Sequence, residues 1–263
     1  MDLNTLLSKL ETKSDNVSNA RYITNVINEV TYKIANDCGR KPSTYFSPSS
    51  LGGCERSIYY KITGAPTDDK LDIKVKNLKK GNSGTDRHLR IQKALLSAEK
   101  YGYNLKWIDI KKYANERGMD YLHILNKDET EYHIIDKRYN LSFKTDGLLK
   151  VKNQYLLIEI KTDDTYRWGR RNDISSYHEI QGICYSLSFN IPWIVYIYEE
   201  RNEFKLKPIM KKITKEQKTK VKDKLNKLTK YKNKKQLPDT EKNKCMFCSY
   251  KYICKKNLNV NSY

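Results

Sequence analysis

Apolar residues between Leu3 and Ala35 recur at helical intervals, at Ile23, Val26, Ile27, Val30 and Ile34, and predict an N-terminal helical region ending near Gly39. The stretch Phe46-Ser47-Pro48-Ser49-Ser50-Leu51 then offers N-cap and first-turn chemistry for a helix running through Cys54, Ile58 and Tyr59. A lysine-rich connector follows. Gly81 to Gly84 reads as a breaker cluster, after which His88, Ile91, Ala94 and Leu95 return with a helical period, so a second helix is expected from near Thr85. Between Tyr132 and Lys161 the periodicity changes to that of strands, at Tyr132 to Ile135, Leu141 to Val151 and Tyr155 to Ile160. Asp173 to Phe189 reads as a helix, Pro192 to Tyr198 as a buried strand, and Thr214 to Tyr231 as an amphipathic helix with Val221, Leu225 and Leu228 on one side. The order is therefore helix, three strands, helix, strand.

The chain has 263 residues, enough for one sizeable core with small appendages. Its Lys and Arg total 51 against 31 Asp and Glu, and the resulting formal charge of +20 attracts polyanions such as nucleic acid or an anionic membrane. No apolar run approaches the ~20 residues needed to span a bilayer, and the N-terminus lacks the pattern of a secretion signal. A soluble, cytoplasmic protein of a bacterium or phage-infected host is expected, without a membrane partner. Six cysteines in such a compartment point to metal ligation or buried thiols rather than a disulfide framework.

The strand around Ile158 is apolar on both faces, yet Glu159 and Lys161 interrupt it two residues apart and so share one face. Buried charges are costly unless paired or used. If Lys152 and Asn153 form the turn before this strand, Val151 pairs with Gln154 and Asp146 falls opposite Glu159. Any even-numbered loop keeps Asp146, Glu159 and Lys161 on one face. Two converging carboxylates repel each other unless a divalent cation sits between them, and hard oxygen ligands suit Mg²⁺ or Mn²⁺. A lysine beside such a site can orient water and offset charge developing on a phosphate. The competing account is an ordinary surface ion pair, since Glu-x-Lys arises readily by chance in a chain with 31% charged residues.

Asp146 followed after twelve residues by Glu159-Ile160-Lys161 resembles the signature of the PD-(D/E)XK nucleases. The resemblance implies an α/β restriction-endonuclease-like core, a mixed central sheet flanked by helices, with the N-terminal helical region and a C-terminal clasp added to it. It implies that Asp146 and Glu159 ligate the metal, that the carbonyl of Ile160 adds a ligand, and that Lys161 is the catalytic lysine. Gln181 and Tyr185, four apart on the next helix, resemble the QxxxY motif of RecB-like nucleases, which lies beside the active centre in that family. His88 resembles the upstream histidine that adds a metal ligand there. His123, His133 and His178 are read as structural.

Cys245, Cys248 and Cys254 form a C-terminal group one ligand short of a closed site, and Cys54 is the fourth candidate. One early and three late cysteines resemble the iron–sulfur nucleases of the AddB type and of CRISPR adaptation. That resemblance implies a [4Fe-4S] cluster clasping the chain, although four thiolates would also accept Zn²⁺. Cys38 and Cys184 are read as spare thiols.

Arg167-Trp168-Gly169-Arg170-Arg171 combines guanidinium groups for phosphate with an indole able to stack, and is expected to contact DNA. Twelve lysines between Lys211 and Lys235 are either a backbone-binding face or a solvated helix face. The expected organisation is one nuclease domain, with residues 1–45 as helical region, 46–210 as core and 211–263 as basic helix and cysteine group. The family resemblance implies a metal-dependent, single-strand-preferring 5′ to 3′ exonuclease acting on DNA ends in recombination, repair or CRISPR adaptation, with a protein partner from one of those pathways. The alternative is a non-catalytic nucleic-acid-binding protein with a four-cysteine metal clasp.

Overall fold

The computed structural model describes residues 21–34, 43–67, 71–128, 130–246 and 248–256. The chain divides into two compact units, Met1–Lys41 with Asp69–Asn82, and Pro42–Asp68 with Ser83–Tyr263. In the first, the apolar spacing does form a helix, α1, over 21–34; the expected end near Gly39, and Cys38, lie outside the described residues.

The second unit is built on a five-stranded sheet of β1 (Leu105–Trp107), β5 (Gly147–Val151), β6 (Gln154–Asp163), β7 (Trp193–Glu200) and β8 (Leu206–Lys212), in that spatial order. Only β6 and β7 run parallel, so the sheet is mixed. A separate antiparallel sheet holds β2 (Leu122–Asp128), β3 (Glu131–Asp136) and β4 (Leu141–Lys144). The expected strand from Leu141 to Val151 is thus two strands in two sheets, broken at Thr145-Asp146. The strands β1, β2 and β8, with their weaker or less apolar patterns, go beyond the sequence reading.

Helices cover both faces of the larger sheet, as a parallel central pair requires. The period of two along β6 divides its side chains between them. Leu156, Ile158 and Ile160 join Leu149 and Ile197 in a cluster with Ile91 and Leu95 of α3 (Leu71–Ser97). Leu157 faces the other way, into the main core with Ile183, Cys184 and Tyr185 of α6 (Ser176–Phe189) and Val221, Leu225 and Leu228 of α7 (Lys215–Asn233). Each fully buried aliphatic side chain of these clusters is worth about 1.5–3 kcal/mol in water-exclusion terms.

α6 starts at Ser175, whose hydroxyl caps the His178 amide, and stops at Asn190 in the left-handed region (φ 54°). It crosses β7 closely at Gly182, where an added Cβ would fall 1.9 Å from the Tyr196 hydroxyl. α7 begins with a reciprocal capping box between Thr214 and Gln217. Two expectations at the start of this unit are corrected. Pro48–Ser50 forms only a 3-10 turn, and α2 (Glu55–Ile62) begins afterwards with Cys54 as its N-cap residue. The glycines at 81 and 84 do not break the chain, because α3 passes through both, and the connector before them is partly helical. A helix interior tolerates glycine at a cost of about 1 kcal/mol each, which a long helix absorbs. The shorter helices are α4 (Ile110–Glu116), α5 (Thr165–Gly169) and α8 (Lys251–Lys255). No helix among the described residues is long and apolar enough to cross a membrane.

Candidate active site

The turn at Lys152-Asn153 sets the β5–β6 register at Val151↔Gln154, and the ladder runs to Gly147↔Ile158. Asp146 lies one residue beyond the ladder, close enough to Glu159 for the two carboxylates to influence each other. Here β5 ends and the chain passes towards β4, so that among the described residues no strand pairs with the last residues of β6 on that side. Gly147 permits this course because an added Cβ would lie 2.4 Å from the Trp107 indole.

Asp146 is bound from three directions. Its Oδ1 lies 3.0 Å from His88 Nδ1, its Oδ2 accepts the Ile160 amide at 2.5 Å, and its backbone carbonyl accepts Gln92 Nε2 at 2.8 Å. Burial works against a charged His88, but the Asp146 hydrogen bond and the charges of Asp146 and Glu159 outweigh it and raise the imidazole pKa. Across the strand, Glu159 is only 2% exposed. One of its oxygens pairs with the Lys161 ammonium, while Oε2 is buried without a hydrogen-bond partner. Burial, reinforced by the Asp146 charge and opposed by Lys161, pushes the Glu159 carboxyl up to about 7.

Lys161 Nζ also donates to Gln181 Oε1 at 3.0 Å, Gln181 Nε2 donates to the Tyr185 hydroxyl at 2.6 Å, and that hydroxyl donates to the Lys144 carbonyl at 3.0 Å. The four-residue spacing on α6 thus produces a chain of hydrogen bonds from the lysine of β6 to the end of β4. Burial, before the nearby carboxylates, holds the Tyr185 hydroxyl firmly protonated.

Glu131 at the start of β3 completes a group the sequence reading lacked. Ligand atoms of His88, Glu131 and Asp146 all lie within 4.8 Å of one another. Burial and then the Asp146 charge raise the Glu131 carboxyl, against a hydrogen bond from Gln92. Gln92 bridges the group, giving Nε2 to both Glu131 Oε1 (3.2 Å) and the Asp146 carbonyl while its Oε1 accepts Thr130 Oγ1 at 2.7 Å. Its position one turn after His88 was the available signal. Glu131 offered none, being one more charged residue beside a β-turn. The His88 nitrogen and the Glu131 and Asp146 carboxylates are a donor set that fits a hard divalent cation, whereas Glu159, an expected ligand, stands outside this group with its buried Oε2 lacking a hydrogen-bond partner. Ile160 enters through its backbone, its side chain being buried on the opposite face.

Two of the other histidines are tied elsewhere. His133 Nε2 is 2.7 Å from Ser142 Oγ, and His178 Nδ1 is 2.8 Å from the Tyr198 hydroxyl. Burial, then the charges of Lys161 and Arg171, lowers the His178 pKa to about 4. Cys184 is fully buried, which raises its thiol pKa.

The segments that carry Cys54 and the C-terminal cysteines meet mainly through neighbouring residues, although the four thiols do not form a metal-ligand group among the described residues. The Glu55 amide donates to Glu241 Oε1 at 3.1 Å, and Arg56 Nε donates to the Pro238 carbonyl at 2.6 Å. Tyr59 and Tyr60 pack with Ile253. Burial raises the Cys248 thiol, and proximity to Cys54, Cys245 and Cys254 raises it further. Cationic groups converge here: Lys224 and Lys244 both point at the Gly53 carbonyl, at 3.4 and 3.5 Å, and an Arg56 nitrogen lies 4.0 Å from Cys254 Sγ. Several α7 lysines thereby face the protein, Lys227 binding Glu55 and Lys232 the Thr44 carbonyl.

The Arg167 to Arg171 segment divides. Arg167 and Arg170 are outward, but Arg171 is committed to Asp163, and Trp168 packs against the core with Lys207 over its ring at 4.3 Å.

No protein-family model and no curated protein matches the chain. Its fold is that of the solved structure of SSO0001, which superposes with a TM-score of 0.52 at 15% identity, over 90% of this chain and 100% of that one. An alkaline exonuclease from Laribacter hongkongensis, at TM-score 0.39 and 9% identity over 73% of this chain and 90% of its own, superposes too loosely to bear on function. Fold and geometry together define a mixed α/β protein with a clustered His, carboxylate and lysine site at the open edge of its central strand.

Proposed function

We propose that the chain is a PD-(D/E)XK nuclease that hydrolyses DNA phosphodiesters with Mg²⁺ or Mn²⁺. The carrying observation is the cluster of His88, Glu131 and Asp146, with Lys161 paired to the nearby buried Glu159, whose Oε2 has no hydrogen-bond partner. His88, Glu131, Asp146 and Glu159 would hold the cation, which supplies Lewis acidity for the phosphoryl oxygen and the leaving group. The protein's own residues do the rest. Asp146 is oriented by the Ile160 amide and the Gln92 bond before any ligand arrives, so little reorganisation accompanies binding. Lys161, steered by Gln181, sets a positive charge where negative charge grows on the phosphorus oxygens as the water oxygen bonds to phosphorus and the ester oxygen leaves. The +20 charge supports a polyanionic substrate.

The finer reading is a single-strand-preferring 5′ to 3′ exonuclease in recombination, repair or CRISPR adaptation. It includes a [4Fe-4S] cluster on Cys54, Cys245, Cys248 and Cys254. Lys224 and Lys244 at the Gly53 carbonyl, next to Cys54, and Arg56 at Cys254 Sγ support a ligand that leaves net negative charge there. Anaerobically purified protein should be brown and should shorten end-labelled single-stranded DNA with Mn²⁺, in a ladder whose label retention gives the direction. Cutting by Glu159→Ala at the parental rate, or no metal-dependent cutting by the parent of any DNA, would refute the nuclease assignment.

A further inference from the structure

The hairpin between β7 and β8 presents an aromatic ring in an unusual way. Phe204 has φ of 59°, a conformation in which glycine is comfortable and a phenylalanine is strained, and its side chain is 53% exposed. Neither property helps folding, yet the loop is firmly made. The Glu200 carboxylate accepts Thr165 Oγ1 at 2.6 Å, the Asn202 amide at 2.7 Å and the Glu203 amide, and the Arg201 amide donates to the Asp163 carbonyl at 3.0 Å.

Two guanidinium groups lie over the ring, those of Arg87 and Arg90, with carbons 5.0 and 5.4 Å from its centroid. Both are fixed by the fully buried Glu199 carboxylate, and Arg87 binds the Arg201 carbonyl as well, at 2.7 Å. Arg90 keeps half of its side chain in solvent. Tyr166, next to the Thr165 that ties the hairpin, is 65% exposed with Arg170 4.1 Å over its ring. The surface is therefore aromatic and arginine-rich at the ends of two adjacent strands.

This surface adjoins the candidate site through covalent neighbours. Arg87 precedes His88, and Glu200 lies two residues beyond Tyr198, the partner of Lys161 in the parallel ladder. That offset is roughly 7 Å along the strand.

We propose that Phe204 is a stacking platform for one nucleobase of a single-stranded substrate, with Tyr166 as a second face and Arg87, Arg90 and Arg170 beside the neighbouring phosphates. The proposal rests on the nuclease reading for its ligand class. Single-stranded nucleic acid is the occupant because guanidinium groups complement its phosphates and its bases have free faces, whereas duplex bases are already stacked on one another. The sequence reading assigned stacking to Trp168, whose indole is instead spent on packing.

The test uses the full chain with EDTA, so that binding is read without cutting, and compares a fluorescein-labelled oligo(dT) with an abasic strand of equal length. Phe204→Ala should weaken oligo(dT) binding on the order of tenfold and leave abasic binding unchanged, while Phe204→Tyr should restore it. Phe204→Gly should lose the same affinity yet melt no lower than the parent, because glycine relieves the backbone strain. Phe204→Ala affinity within about twofold of the parent, or an equal loss on the abasic strand, would overturn the platform. If the parent still cuts DNA in that case, the nuclease reading survives; Phe204-dependent binding without any metal-dependent cutting would sink the nuclease reading and leave the platform standing.

Discussion

The site around Asp146 and the junction of the Cys54 segment with the C-terminal cysteine segment are assembled by different means. At the first, a two-residue turn and a strand ladder carry the chain to Asp146, one residue beyond the last pair, where the Ile160 amide holds its carboxylate and Gln92 its backbone carbonyl before any ion enters. At the second, Cys54 meets residues from the far end of the chain through an amide–carboxylate bond, an arginine–carbonyl bond and tyrosine packing. Local register costs little entropy, whereas closure over most of the chain costs much more and depends on what it captures. An ion at the first place is thus expected to serve reactivity, and at the second stability.

The sharpest way to break this contrast is to remove a side chain from the first site. Glu159→Ala or Lys161→Ala should lower metal-dependent cleavage on the order of 10³-fold or more while the melting temperature stays near that of the parent. A large loss of stability in both would show that the ladder does not hold the site by itself. Cys248→Ala should do the reverse in kind, lacking the iron that the proposed cluster would give the parent in elemental analysis and melting on the order of 10 °C lower.

A smaller effect concerns pH. The Glu159 carboxyl, raised by burial from 4.5 to about 7, keeps a proton that the unfolded chain releases within that window. The metal-free fold is therefore most stable with respect to this group below 4.5 and loses stability as pH rises to about 7, by on the order of 1–3 kcal/mol. Denaturant titrations should show this decline in the parent and flatten it in Glu159→Gln; an identical slope in both would remove Glu159 as its source. Smallest should be Gln92→Ala, which leaves the ligands in place but frees Glu131 and the Asp146 carbonyl. Mn²⁺ affinity should fall about tenfold, with the rate at saturating Mn²⁺ little changed.

These residues also mark what the sequence made legible. Asp146, Glu159 and Lys161 could be placed on one face because a short turn converts spacing into register. Gln181 and Tyr185 could be paired because a helix converts four residues into one turn. Glu131 and Phe204 were out of reach, because each acquires its setting from segments far away in sequence, and neither periodicity nor spacing encodes that encounter. The division of Leu141 to Val151 between two sheets was hidden for a related reason, since both pieces have strand-like residues and only tertiary packing decides that the chain turns at Thr145-Asp146. The glycines at 81 and 84 misled in the opposite sense, a local preference overruled by the helix around them.

That turn at Asp146 gives the molecule a mechanical character. The aspartate sits on the joint between the three-stranded and five-stranded sheets, and Glu131 belongs to the former while Glu159 belongs to the latter. A cation drawing on all of them would act as a rivet, so that slippage of one sheet past the other and release of the ion become the same event.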